Sequence, residues 1–173
     1  MTQLAILEYP DPRLRLTADP VTDFGAGLRS LVNDLTETLK ATGGIGISAP
    51  QVGDRRQVVV VDLADESSAP RVYINPKILA RDRLALVEES CLSLPGIVGN
   101  VVRATQLRVR AHHVSGESFE YELTDMRAVC LQHEMDHLRG KLFVDRLPLL
   151  SRLRFRTTEV MGRKGFMDTR RRA

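Results

Sequence analysis

The segment His133-Glu134-Met135-Asp136-His137 restricts the fold of this chain more than any other feature of its sequence. On an α-helix, side chains four positions apart lie one above the other on the same face. We therefore predict a helix over residues 125–139, which Thr124 or Asp125 caps and Gly140 stops. The apolar side chains at positions 126, 129 and 130 fall on the face of the two histidines, so this face is expected to point toward the core.

Two imidazoles at this spacing can bind one metal ion, and the Glu134 carboxylate beside them can take a proton from water. This arrangement predicts a metallohydrolase and requires a third ligand, for which Cys91, Cys130 and Glu159 are candidates. Cys91 is favoured because it lies at a strand-to-turn junction, whereas Cys130 lies in an apolar helical run where a small buried thiol is ordinary. A Glu159 ligand would instead indicate a metalloprotease or another amide hydrolase.

A third hypothesis is that the protein is not an enzyme: the Cys-His-His site would be structural, and the basic C-terminus would bind RNA. Structural zinc sites normally have four protein ligands, and Glu134 would then have no role. The sequence therefore favours an enzyme over a structural zinc protein.

Hydrophobic periodicity along the rest of the chain predicts an α+β fold. Five leucine and valine residues at helical spacing predict a first helix over residues 26–42, ended by Gly43-Gly44 and followed by a glycine-rich loop at 44–53. A last helix is predicted over residues 151–162. The predicted strands cover residues 57–63, 72–75, 106–111 and 118–123, the last two forming an antiparallel hairpin with one wet face.

Composition and charge give a two-part organisation and a predicted location. The 173 residues include two cysteines, no apolar run long enough to cross a membrane, and no signal-peptide pattern at the N-terminus. A cytoplasmic protein is expected, with neither membrane nor DNA as a partner. Residues 151–173 contain eight arginine and lysine residues against two acidic ones, so we separate a catalytic domain, 1–148, from a basic C-terminal helix and tail, 149–173.

Three segments together resemble the motifs of the peptide deformylase family. They are Gly44-Ile45-Gly46-Ile47-Ser48-Ala49-Pro50-Gln51, Glu89-Ser90-Cys91-Leu92-Ser93 and His133-Glu134-Met135-Asp136-His137, in the family's order and spacing. The likeness runs from about residue 4 to residue 147. Two positions depart from it, because Ser48 stands where the family commonly has alanine and Ser90 where it commonly has glycine.

The resemblance implies the fold, the reaction and the residues that carry it. Antiparallel sheets would pack around a central helix that carries the histidines, with a helix at each end of the chain. The enzyme would remove the formyl group from the N-terminal formyl-methionine of nascent polypeptides and release formate. The implied metal ligands are Cys91, His133 and His137; the implied catalytic residues are Glu134 as the base, Gln51 and the Leu92 N–H at the oxyanion, and Gly46 along the substrate backbone.

The resemblance also implies a side-chain pocket, a metal and a partner. The methionine pocket would be formed by Ile45, Val87, Met126 and Val129, and Glu89 and Arg103 would form a structural ion pair. One divalent ion is expected, Fe²⁺ in most family members, with Zn²⁺ or Ni²⁺ able to use the same ligands. The expected substrates are formyl-methionyl nascent peptides. The basic tail is favoured as a solvated or disordered end, and the functional alternative is a contact with the ribosome.

Overall fold

Four consecutive valines, Val58–Val61, form a strand that is buried along its whole length, with exposures of 0 to 3 %. The computed structural model describes residues 3–63 and 69–160, without the side chains of residues 154 and 156–160. Successive side chains of a strand point to opposite faces. Val58 and Val60 pack against the first helix, while Val59 and Val61 pack against the helix of the histidines. The sheet is therefore covered on both faces at this strand, which explains the continuous apolar run.

The secondary structure consists of three helices and five antiparallel strands in the described part of the chain, with three short 3₁₀ turns at Pro12–Arg15, Ala49–Val52 and Phe143–Arg146. The helices are α1 (Ala26–Thr42), α2 (Asp125–His137) and α3 (Leu149–Val160). The strands β1 (Gly46–Ser48), β2 (Val58–Val61), β3 (Arg71–Cys91), β4 (Leu94–His112) and β5 (Ser118–Thr124) form one sheet in chain order. No described helix is long and apolar enough to cross a membrane.

The predicted helices and the hairpin are confirmed with small shifts of their ends. Helix α1 has the predicted bounds, and Gly43 follows it in the left-handed conformation, φ 66°. Helix α2 ends at His137, two residues earlier than predicted, with Thr124 as its N-cap. In the β4–β5 hairpin, Leu107 lies opposite Leu123 on the buried face, while Arg108 lies opposite Glu122 on the exposed one.

The strand prediction missed most of the long antiparallel ribbon that β3 and β4 form. The predicted strands at 72–75 and 106–111 are only the ends of strands of 21 and 19 residues. Register shifts between Ile74 and Lys77 and between Ile78 and Ala80 interrupt the alternation on which strand prediction depends. One sheet, rather than the several that were expected, results from this continuous ribbon. The predicted glycine-rich loop at 44–53 likewise contains β1 and a 3₁₀ turn.

Helix α3 runs over Leu149–Val160, so its start precedes the predicted Ser151, and residue 162 lies outside the described residues. Phe155 of α3 is buried in a cluster with Leu14, Phe143 and Leu147, and its ring lies 5.8 Å from that of Tyr9. The start of the predicted C-terminal unit therefore packs on the body of the protein. The separation of 1–148 from 149–173 stays a prediction, and the basic residues beyond 160 lie outside the described residues.

Candidate metal centre

The end of β3 meets the histidine face of α2. The Cys91 sulfur and one ring nitrogen from each of His133 and His137 all lie within 4.8 Å of one another, and all three residues are buried. The Cys91 Sγ is 3.3 Å from His137 Nε2. Metal–ligand distances of about 2.0–2.3 Å imply donor separations of roughly 3.3–3.8 Å in a tetrahedral site, so this donor set fits one divalent ion.

The structure describes the side chain of only one of the two other candidate ligands, Cys130, and its sulfur has another partner. The Cys130 Sγ donates to the carbonyl oxygen of Ile45 at 3.4 Å, and burial together with the nearby Glu134 raises the pKa of this thiol well above its ordinary value. Glu159 belongs to α3, at a position whose side chain is outside the described part of the chain. The structure thus groups Cys91, rather than Cys130, with the two histidines.

A buried chain of ion pairs orients His133. Its Nδ1 is 2.8 Å from Glu89 Oε2, which leaves Nε2 facing the site. Glu89 in turn accepts two hydrogen bonds from Arg103, at 2.6 and 3.0 Å, and this confirms the expected ion pair. Burial alone would raise the pKa of Glu89, but the hydrogen bonds from His133 and Arg103 outweigh it and lower that pKa.

Asp136, between the two histidines in sequence, extends this chain of ion pairs. Its carboxylate accepts a hydrogen bond from Arg103 Nη1 at 2.7 Å and two from Arg146 of the 3₁₀ turn after α2. The side chain is 3 % exposed. Sequence reasoning missed this residue, although a charged residue three positions after His133 on a helix with an apolar face was a usable signal.

Glu134 is buried beside the ligand cluster, with an exposed fraction of 4 %, and within the described residues its Oε2 has no hydrogen-bond partner. Burial raises the pKa of this carboxyl, while the neighbouring His133 and the Ser48 hydroxyl oppose the rise. A Cβ at Gly46 would lie 2.8 Å from Glu134 Oε1 and 2.5 Å from the Cys130 sulfur. Glycine at position 46 therefore lets β1 approach α2 at this carboxylate.

Gln51 places its side-chain amide beside the Cys91 sulfur of the ligand cluster. Its Oε1 accepts hydrogen bonds from both the N–H and the hydroxyl of Ser48, each at 2.9 Å. Its Nε2 lies 3.3 Å from Ser93 Oγ and 3.8 Å from Cys91 Sγ. The amide N–H₂ is thus directed toward the ligand cluster.

A cavity of about 560 Å³ opens onto these groups. Among the predicted residues, the cavity is lined by Ile45, Gly46, Gln51, Cys91, Leu92, Met126, Val129, His133 and Glu134. Val87 does not line it. Val87 is half-buried in β3 opposite Val101, on the strand that also carries the lining residues Glu88 and Cys91, so its place in the pocket stays a prediction.

A cysteine sulfur and two imidazoles beside a buried carboxylate, all facing one cavity, could serve as the donor set of a metal-dependent hydrolase. Comparison with known proteins gives the family. The family model described as polypeptide deformylase matches residues 3–153. This chain belongs to the polypeptide deformylase family, whose members remove the N-formyl group from nascent peptides in a metal-dependent reaction.

Individual relatives agree over nearly the whole chain. The chain is 46 % identical to a peptide deformylase of Hahella chejuensis over 157 residues, which cover 90 % of this chain and 94 % of the relative. It is 49 % identical to one from Alkalilimnicola ehrlichii, covering 90 % and 88 %. Its fold is similar to the crystal structure of a peptide deformylase from Legionella pneumophila, with a TM-score of 0.84, 37 % identity, and coverage of 95 % and 100 %.

Proposed function

We propose that Cys91, His133 and His137 hold one divalent metal ion, with Fe²⁺ as the native ion and Zn²⁺ or Ni²⁺ able to replace it. The support is the fit of the three buried donor atoms, which lie within 4.8 Å of one another. A metal held there would supply the Lewis acidity that activates water at neutral pH. Three protein ligands leave a coordination position open for the reaction, as in other catalytic sites of this kind.

In the proposed mechanism, Glu134 transfers the proton. Its carboxylate takes a proton from the attacking water as oxygen adds to the formyl carbon. It then gives that proton to the peptide nitrogen as the carbon–nitrogen bond breaks, which releases formate and a free amine. A buried carboxyl with a raised pKa and an unpartnered oxygen suits both steps.

Negative charge develops on the former carbonyl oxygen during this addition. We assign its stabilisation to the Gln51 Nε2 amide and to the backbone N–H of Leu92, since both residues line the cavity beside Cys91. Such donors are worth a few kcal/mol each when they are held in place before the reaction. Gly46 would lie along the substrate backbone, where a side chain would collide with Glu134.

The substrate's methionine side chain would enter the apolar part of the cavity. Ile45, Met126 and Val129 line it, and we assign them to this pocket together with Val87, whose neighbour Glu88 on β3 also lines the cavity. The ribosome contact stays a prediction because most of the basic tail lies outside the described residues, and so does the cytoplasmic location.

The observation that carries the proposed roles is the buried Glu134 carboxylate beside the three donor atoms, whose Oε2 has no hydrogen-bond partner among the described residues. The test is formate release from formyl-Met-Ala-Ser by protein purified without oxygen and loaded with Fe²⁺ or Ni²⁺. We expect Glu134→Ala to lower kcat by about 10²- to 10⁴-fold with the metal content unchanged. Cys91→Ala should lose both metal and activity.

The metal content of each variant, measured by atomic absorption, separates the two roles. A Glu134→Ala protein that holds the metal and keeps the parent rate would exclude Glu134 as the base. A Cys91→Ala protein that keeps the parent's metal content would exclude Cys91 as a ligand.

A further inference from the structure

The residue at position 48 departs from the family's common alanine, and the structure gives its hydroxyl a defined partner. Ser48 is fully buried at the end of β1, and its Oγ donates to Gln51 Oε1 at 2.9 Å. An alanine would retain the backbone N–H that donates to the same oxygen but would lack this second bond. The chain therefore holds the Gln51 amide with one donor more than an alanine-bearing relative could supply.

The surroundings of Gln51 divide into a donor side and an acceptor side. The N–H and hydroxyl of Ser48 both approach Oε1, while Ser93 Oγ and Cys91 Sγ both lie near Nε2. A rotation of the amide by half a turn would place its N–H₂ group against the Ser48 N–H and leave that buried donor unpaired, whereas the hydroxyl could still accept. The backbone N–H of residue 48 therefore selects which end of the amide faces the ligand cluster, and the Ser48 hydroxyl adds a second bond to the oxygen held in this way.

We propose that Ser48 is a positioning residue whose hydroxyl holds the Gln51 amide in the orientation required to stabilise the developing oxyanion. The inference rests on the proposed role of Gln51 and adds a residue to it. Stabilisation by a hydrogen-bond donor is effective when the donor is already aimed at the site where charge develops. Loss of one of two bonds to Oε1 lets the amide move and weakens that effect.

The experiment is a double-mutant cycle between positions 48 and 51 in the metal-loaded enzyme. We expect Ser48→Ala to lower kcat by about three- to tenfold, the effect of one neutral hydrogen bond, with KM unchanged because the bond acts in the transition state. Gln51→Ala should lower kcat by itself. In the Gln51→Ala background, Ser48→Ala should lower kcat less than it does in the parent, since the bond to Gln51 is gone and only the effect of the hydroxyl on Glu134 remains.

A second readout does not depend on catalysis. In the zinc-loaded protein, which is diamagnetic, the side-chain amide signals of Gln51 can be followed by NMR. Ser48→Ala should shift these signals and show a more mobile Gln51 side chain. The side-chain amide of Gln132, which is hydrogen-bonded to the backbone of Ala104 and Ala128, should give unchanged signals.

Thr38→Val is the matched control for the loss of a buried hydroxyl. Thr38 is fully buried on α1, away from the cavity, where it donates to Asp34 and accepts from Leu4. This variant should lose thermal stability without a change in kcat. A fall in kcat as large as that of Ser48→Ala would mean that general destabilisation, rather than positioning, explains the effect.

The outcomes separate the inference from the proposed function. Equal falls in kcat in both backgrounds, or a parent-like kcat and an unchanged Gln51 amide in Ser48→Ala, would overturn the role of Ser48 while leaving that of Gln51 intact. A Gln51→Ala enzyme with the parent's kcat would overturn the role of Gln51 and the positioning by Ser48 with it.

Discussion

Arg103 offers the sharpest test of how this site is held together. Its side chain is 2 % exposed, and it donates to Glu89 at 2.6 and 3.0 Å and to Asp136 at 2.7 Å. The substitution Arg103→Met retains much of the apolar stem and removes the charge. It leaves two buried carboxylates, one on β3 and one on α2, without the cation that joins them.

The expected cost follows from the remaining partners. Breaking a buried ion pair by removing one partner costs about 3–5 kcal/mol. Asp136 keeps Arg146, and Glu89 keeps His133, so the lower end, about 3 kcal/mol, applies here. In a chain of this length each kcal/mol lowers Tm by about 2–4 °C, so Tm should fall by about 6–12 °C.

Urea denaturation of the zinc-loaded parent and variant, at the same excess of metal, measures the difference in the free energy of unfolding. Arg110→Met is the matched control, because Arg110 also lies on β4 and pairs with Glu120, but with 54 % of its side chain exposed. This control should change stability by less than about 0.5 kcal/mol. If Arg103→Met costs no more than Arg110→Met, burial does not give the Arg103 pairs their strength, and the reasoning fails.

Two further substitutions test other parts of the structure. Gly46→Ala places a Cβ 2.5 Å from the Cys130 sulfur and 2.8 Å from Glu134 Oε1. Because these neighbours must move, kcat/KM should fall about 10²-fold and the free energy of unfolding by about 1–3 kcal/mol. Formate release and a Tm like those of the parent would contradict this prediction. Burial alone would raise the pKa of Asp54, but hydrogen bonds from Arg56 outweigh it and lower that pKa. The stabilisation is therefore complete above about pH 5 and is lost as pH falls through the lowered pKa, so Asp54→Asn should lower Tm more at pH 7 than at pH 3. Equal differences in Tm at both pH values would contradict the second prediction.

Local periodicity explains which parts of the fold were predictable. The apolar stripe of α1 and the alternation in the β4–β5 hairpin each depend on neighbours within a few residues, and both are confirmed. The β3–β4 ribbon depends on pairing between distant residues such as Leu86 and Val102, which are 67 and 57 % exposed. Such residues follow neither a buried nor a polar pattern, so these strands lack the periodicity on which strand prediction depends.

The limits of the site prediction have a similar cause. Histidines at i and i+4 must share a helix face, so the grouping of His133 with His137 follows from α2 alone. Val87 was placed by likeness to a pocket wall, and it lies on a long strand whose pairing is not local, so its place in the pocket stays a prediction.

The ion pairs of Asp136 could not be predicted from neighbouring residues in the sequence. In the sequence it is a spacer between ligands, but a buried carboxylate requires partners, and none of suitable charge is adjacent on the buried part of α2. Its cations come from β4 and from the turn after α2, 33 and 10 residues away. Arg103 contacts both Asp136 and Glu89, so one guanidinium joins the helix of the histidines to the strand of Cys91. The metal geometry is therefore predicted to depend on a residue that neither lines the cavity nor belongs to a ligand motif.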